Sequence, residues 1–257
     1  MVKRINSKKG QVTIYILIAI VIITVLLFLF YIFRESEPDP PLPDFENPQT
    51  YIESCVQDVV YDAVELIRKS GGYYQTRNFK LYQGRRVPYL CYQENFYYQC
   101  INQEPMLIKH TEDSIMNYTK ENIDNCFRTL QLGLENKNYN VELGEMNFSI
   151  DIVEDQIITN IDRKFVLGIR EEEQRFEKFK IVENHPMYDL LRVSQEIVNQ
   201  EANYCHFDYL GYMIFYPDYD IRKFLTGDDV KIYTVKDLIS EKDFEFAIRS
   251  CAIPPGL

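Results

Sequence analysis

Six cysteines, three histidines and 39 carboxylates are the residues of this 257-residue chain whose chemistry could go beyond packing. The cysteines are Cys55, Cys91, Cys100, Cys126, Cys205 and Cys251. No two are spaced as C-x2-C, the close ligand pair that structural zinc sites use. An even number in an exported domain points to disulfides, with buried free thiols as the rival reading. If residues 87–102 form a hairpin with its loop at Glu94–Tyr97, Cys91 faces Cys100 within bridging distance. Cys55 and Cys126 both fall on apolar helix faces, and packing those helices together would join them. Cys205 and Cys251 are then left for each other.

His110, His185 and His206 form no H-E-x-x-H or other metal spacing, and each stands near a helix boundary or a cysteine. The adjacency of Cys205 and His206 is no catalytic signal, because a Cys–His pair is assembled in space and not in sequence. No G-x-S-x-G elbow, Walker loop or G-x-G-x-x-G is present. Asp218 and Asp220 resemble a fragment of a calcium loop without its glycine and distal glutamate. The carboxylates leave a two-acid glycosidase open without pointing to one. Runs such as Glu171-Glu172-Glu173 read as solvated loop or strand ends. The expectation is no catalytic residue, no cofactor and no metal site. Asn117-Tyr118-Thr119 and Asn147-Phe148-Ser149 are glycosylation sequons, although an Asn-rich chain also produces such triplets by chance.

The elements that must carry these residues follow from periodicity. Asn47 and Pro48 open a helix whose Ile52, Cys55, Val56, Val59, Ala63, Leu66 and Ile67 form one apolar stripe, stopped by Gly71-Gly72. A strand meander follows over 73–102, with turns at Gln83-Gly84 and Glu94-Asn95. A second helix lies within 104–130, with Met116, Ile123, Cys126, Phe127 and Leu130 on one face. Met146, Phe148, Ile150 and Ile152 alternate as a strand, as do Phe165, Leu167 and Ile169, with a turn at Glu154-Asp155 between them. A third helix covers 186–202. A hairpin over 220–235 turns at Thr226–Asp229, and a last strand covers 244–251. Neither βαβ alternation nor an all-β order emerges. The fold class expected is an α+β ectodomain of mainly antiparallel sheet with about three helices, preceded by one N-terminal transmembrane helix.

That last element comes from residues 12–33, which carry no charge and at about 1.5 Å per residue would span a bilayer core of about 30 Å. Lys3, Arg4, Lys8 and Lys9 precede this run, and only Arg34 follows before Glu35 and Glu37. Positive-inside bias then places a basic tip, 1–11, in the cytoplasm and the C-terminal domain outside a single-pass cell membrane protein. The apolar run is longer than a secretory signal core and lacks small residues at its outer end, so an uncleaved anchor is favoured over a removable signal. Five prolines and several acids in 34–48 make a semi-rigid stalk, and 49–257 form the disulfide-stabilised domain. With a net charge of −11 and every N-terminal charge positive, that domain is strongly acidic, which excludes nucleic acid as a partner. Twenty tyrosines and no tryptophan suit either a Tyr-rich contact surface or compositional drift in an AT-rich genome.

The run Lys8-Lys9-Gly10-Gln11-Val12-Thr13 ahead of the apolar segment resembles the archaeal class III signal peptides of type IV pilin-like proteins. The resemblance implies cleavage between Gly10 and Gln11. Tyr15 stands where those pilins carry a glutamate. The combination of this segment with Tyr51-Ile52-Glu53-Ser54-Cys55, Gly71-Gly72-Tyr73, Asn125-Cys126 and the ending Asp243-Phe244-Glu245-Phe246-Ala247-Ile248-Arg249 is similar to a group of uncharacterised membrane-anchored proteins of small-genome archaea. It implies a compartment and a layout, and no activity. The function expected is a membrane-anchored cell-surface protein with a non-enzymatic extracytoplasmic binding domain, taking a surface protein or a glycan as partner. The alternatives are a pilin-like subunit processed after Gly10 and an extracytoplasmic hydrolase.

Overall fold

A computed structural model describes residues 15–26, 47–169 and 172–254. Residues 1–44 and 45–257 are separate compact units. In the first, 15–26 form a helix, α1, with exposed apolar side chains. No helix among the described residues is long and apolar enough to cross a membrane. The expected transmembrane helix over 12–33 is corrected accordingly to an apolar helix over 15–26, the rest of that run lying outside the described residues. The basic tip, the stalk up to residue 46 and the Gly10–Gln11 processing step lie outside the described residues.

The second unit begins where the sequence says a helix can start. The Asn47 side chain accepts from the Thr50 amide, and Pro48 takes the first position of α2 (Pro48–Lys69). Its buried face runs through Ile52, Val56, Val60, Ala63, Val64 and Ile67. Leu66, expected inside, is 46% exposed, because the stripe turns toward Val60 and Val64. Helix α3 (Leu107–Glu135) packs along α2, burying Ile115, Ile123, Phe127 and Leu130. Helix α4 (Met187–Tyr204) buries Leu190, Leu191, Ile197 and Val198. A short helix, α5 (Tyr209–Phe215), was not read in the sequence. Asp208 caps it by accepting from the Gly211 amide at 3.0 Å. Seven residues, about two turns, are too few for a periodic signal.

Two sheets share these helices. The larger contains β1 (Phe79–Tyr82), β2 (Arg85–Tyr92), β3 (Ile101–Asn102), β7 (Tyr219–Leu225), β8 (Lys231–Asp237) and β9 (Asp243–Arg249), in the order β1-β2-β9-β8-β7, with β3 on β2. The smaller is the meander β4 (Asn140–Val153), β5 (Gln156–Ile169) and β6 (Glu172–Asn184). Helix α2 touches both β6 and β9, α3 touches β4, and α4 touches β8 and β9, so one apolar core runs through both sheets.

The fold-class expectation is therefore corrected in two further respects. The described residues hold five helices, not about three. The larger sheet is mixed, because the final strand β9 lies parallel to β2, with Tyr89 opposite Ala247. A strand late in the chain fills the gap between β2 and β8, a long-range pairing that local periodicity does not encode. Strand β6, whose acidic start reads as solvated loop, is also a full strand, paired with β5 along most of its length.

Candidate functional site

The clearest concave site forms where α2 stops. Gly71 and Gly72 take positive φ values of 60° and 88°, and the Gly72 amide donates back to the Ile67 carbonyl at 2.9 Å. This turn throws Tyr73 and Tyr74 across the first turns of α3. Glu104 lies just before α3, its amide donating to the Asn102 side chain at 3.0 Å. His110 Nδ1 sits 3.3 Å from Glu104 Oε2, and its ring meets Tyr73 edge-on at 4.5 Å. Burial, reinforced by the charge and hydrogen bond of Glu104, pushes the Tyr73 phenol well above its ordinary range. Arg77 and Asn78, from the segment leading into β1, and Gln75, Gln103 and Asn117 complete a cavity of about 420 Å³. Tyr74 packs edge-on against Tyr118. The lining offers ring faces and edges, amides, a guanidinium and a carboxylate: donors and acceptors for a polar ligand, with aromatic surface for its apolar face.

The histidines are thus separated. His110 lines this cavity, and His206 is exposed. The His185 side chain is fully enclosed, with Nε2 at 3.1 Å from Glu65 Oε1. It belongs to an interior ionic cluster that sequence reading missed. Glu65 and Arg68 from α2 pair at 2.8 Å, Arg68 also bonds Asp243, and Lys242 bonds Glu65 while lying over the Tyr61 ring. Burial pushes Glu65 up, but hydrogen bonds from Arg68, Lys242 and His185 outweigh it and hold the carboxyl at about 2. Neighbouring Glu183 has little help of that kind, and burial lifts it to about 7. Burial depresses His185 and keeps it neutral. The only signal in the sequence is a helical Glu–Arg pair at i, i+3.

A second buried acid, Glu201 on α4, accepts from the Tyr233 hydroxyl and the Lys231 ammonium, each at 2.5 Å. The His185 and Glu201 side chains have no accessible surface, whereas Glu65 and Lys242 are each about one-fifth exposed.

The cysteines form three disulfides, Cys55–Cys126, Cys91–Cys100 and Cys205–Cys251, and none is free. The expected cross-strand register of the second is corrected: Cys91 opposes Asn102, and Cys100 lies in the loop just before β3. With every thiol in a disulfide, cysteine chemistry is confined to redox exchange. Among the described residues no group of three His, Cys, Asp or Glu side chains is placed to hold a metal ion. Asp218 lies in a separate acidic cavity, whereas Asp220 pairs with Arg222 at 2.6 Å. Glu173 is exposed on β6. Asn117 is exposed on α3, but the hydroxyl of its partner Thr119 is buried against the Ile115 carbonyl at 2.8 Å. Asn147 and Ser149 both face solvent from β4.

No family model, no curated protein and no solved structure matches this chain.

Proposed function

We propose that this protein works at the cell surface as a non-enzymatic binding module, attached to the membrane at its N-terminus and presenting its disulfide-stapled domain outside. The observation that carries the binding role is the cavity between Tyr73, Glu104 and His110. Neutral polyhydroxylated ligands are recognised by this mixture of amides, a guanidinium and aromatic faces, so the ligand class is a glycan. The extracytoplasmic placement rests on the uncharged run over 12–33, the basic residues ahead of it and the three disulfides, which belong to oxidising compartments. The non-enzymatic reading rests on the enclosure of the Glu201 and His185 side chains and on the lack of a catalytic motif in the sequence.

The test is binding of the full chain to a panel of surface oligosaccharides, alongside Arg77→Ala and Tyr74→Ala. The expected result is saturable binding by the native chain, weakened about tenfold or more in each variant, with unchanged melting temperatures. Release of reducing ends during incubation would make the protein a hydrolase. Equal binding by all three proteins would move the ligand away from this cavity.

A further inference from the structure

Two cavities of opposite charge occupy opposite edges of the larger sheet. One, of about 580 Å³, is lined by Asp155, Asp189, Asp218 and Asp237, with no lysine or arginine in its wall. Asp189 is paired with Arg192 at 3.3 Å, and the Asp237 carboxylate is held by Ser240. Asp155 and Asp218 have no ion pair among the described residues. Ile239 lies in the same wall and is 81% exposed.

The other cavity, of about 540 Å³, is lined by Lys69, Arg85 and Arg86, with no acid in its wall. Arg85 reaches Glu245 at 2.9 Å but is more than half exposed. Arg86 lies over the Phe79 ring at 4.9 Å. Its register partner on the edge strand, Leu81, is 64% exposed. Each edge therefore carries uncompensated charge beside a bare aliphatic side chain, and the signs are opposite.

The topology prevents these surfaces from meeting within one molecule. In the order β1-β2-β9-β8-β7 the basic site belongs to β1 and β2, and the acidic site to the far edge at β7 and β8. The pairings of β2 with β9, β9 with β8 and β8 with β7 bring Arg85 and Tyr219 to the same end of the strands. Both sites thus face outward from opposite edges at one level of the sheet.

We propose that a second copy of this chain is the occupant: the β1–β2 hairpin of one molecule docks by Arg86 and Leu81 against Asp218 and Ile239 of the next. The contact is heterologous, so each added copy leaves one basic and one acidic edge free, and association continues head to tail unless a ring closes. Charge complementarity argues for this occupant: the acidic wall on one edge holds no lysine or arginine, and the basic wall on the other holds no acid.

The experiment is sedimentation velocity of the full chain in neutral detergent across a concentration series, at low and high salt. Arg86→Glu and Asp218→Lys are run singly and as an equimolar mixture. Both positions are exposed, and thermal melts confirm that each variant folds. Species larger than one copy are expected for the native chain, diminishing at high salt. Each single variant is expected to associate about tenfold or more weakly, and the mixture to recover association through the swapped charge pair. A native chain that stays monomeric throughout overturns the proposal and leaves the acidic cavity to a foreign basic protein. Association that persists in both variants, or a mixture that gains nothing, overturns it equally.

Discussion

Glu201 is the residue on which local reading and tertiary structure differ most. On α4 its side chain is wholly enclosed, and its charge is met by Lys231 and Tyr233. Its backbone carbonyl also accepts from Ser250 and from the Cys205 amide, beside the Cys205–Cys251 disulfide. A buried charge whose partner is removed costs about 3–5 kcal/mol. Glu201→Ala is therefore expected to destabilise the protein by about that amount in urea titration, since the Tyr233 hydroxyl loses its acceptor and Lys231 loses its counter-charge, keeping only the Cys205 carbonyl. A cost below about 1 kcal/mol would mean that water replaces the carboxylate and that the site is not sealed. Gly71 is legible at the same scale. At φ +60°, a Cβ there would stand 2.3 Å from Pro88 Cγ, so the Gly-Gly stop also serves the close approach of α2 to β2.

At the scale of elements, the ionic cluster ties α2 to the end of β6 and to the β8–β9 turn. Its titration has a definite sign. Glu183 rises from 4.5 in the unfolded chain to about 7 in the fold, so the folded state binds the extra proton between those values. Stability from this group falls as pH rises through that window, and the penalty is complete above about 7. Glu65 works in the opposite direction. Held at about 2, it contributes stability above 4.5 that is lost as pH falls toward 2. His185, depressed by burial, likewise loses stability as pH falls below its ordinary value. Glu183→Gln isolates the first effect. It is expected to match the native protein in thermal melts near pH 4 and to exceed it by about 3 kcal/mol near pH 8. An identical difference at both pH values would show that Glu183 ionises normally.

At the scale of the whole molecule, the three disulfides divide the work of holding two sheets and four helices together. Cys55–Cys126 closes a separation of 71 residues and joins α2 to α3, the pair that bridges both sheets. Cys91–Cys100 closes only 9. On loop-closure entropy the first is worth about 4 kcal/mol and the second about 3 kcal/mol. Cys55→Ser with Cys126→Ser is thus expected to cost more in denaturant than Cys91→Ser with Cys100→Ser. The reverse order would show that the short loop is the more demanding constraint on the native state. An acidic surface adds self-repulsion that the staples offset, and the one pairing of opposite charges between copies would run edge to edge along the larger sheet.

What the sequence alone determined is what depends on neighbours in the chain. Asn47-Pro48 and Gly71-Gly72 bound α2 because capping and positive φ are local demands. The alternation from Met146 to Ile152 and the turn at Asp155, φ 59°, specify the β4–β5 hairpin. The parity and placement of the cysteines indicated disulfides. Tertiary structure decided the rest. β9 inserts parallel to β2 because only the assembled sheet has a gap there, and α5 forms because Asp208 caps it beside β7. Tyr73, Glu104 and His110 converge because a helix stop and a helix start meet over α3, and nothing in their spacing announces it. Glu65, Glu183 and Lys242 lie far apart in the chain. Their charges become interdependent only once burial removes the water that would have kept them separate.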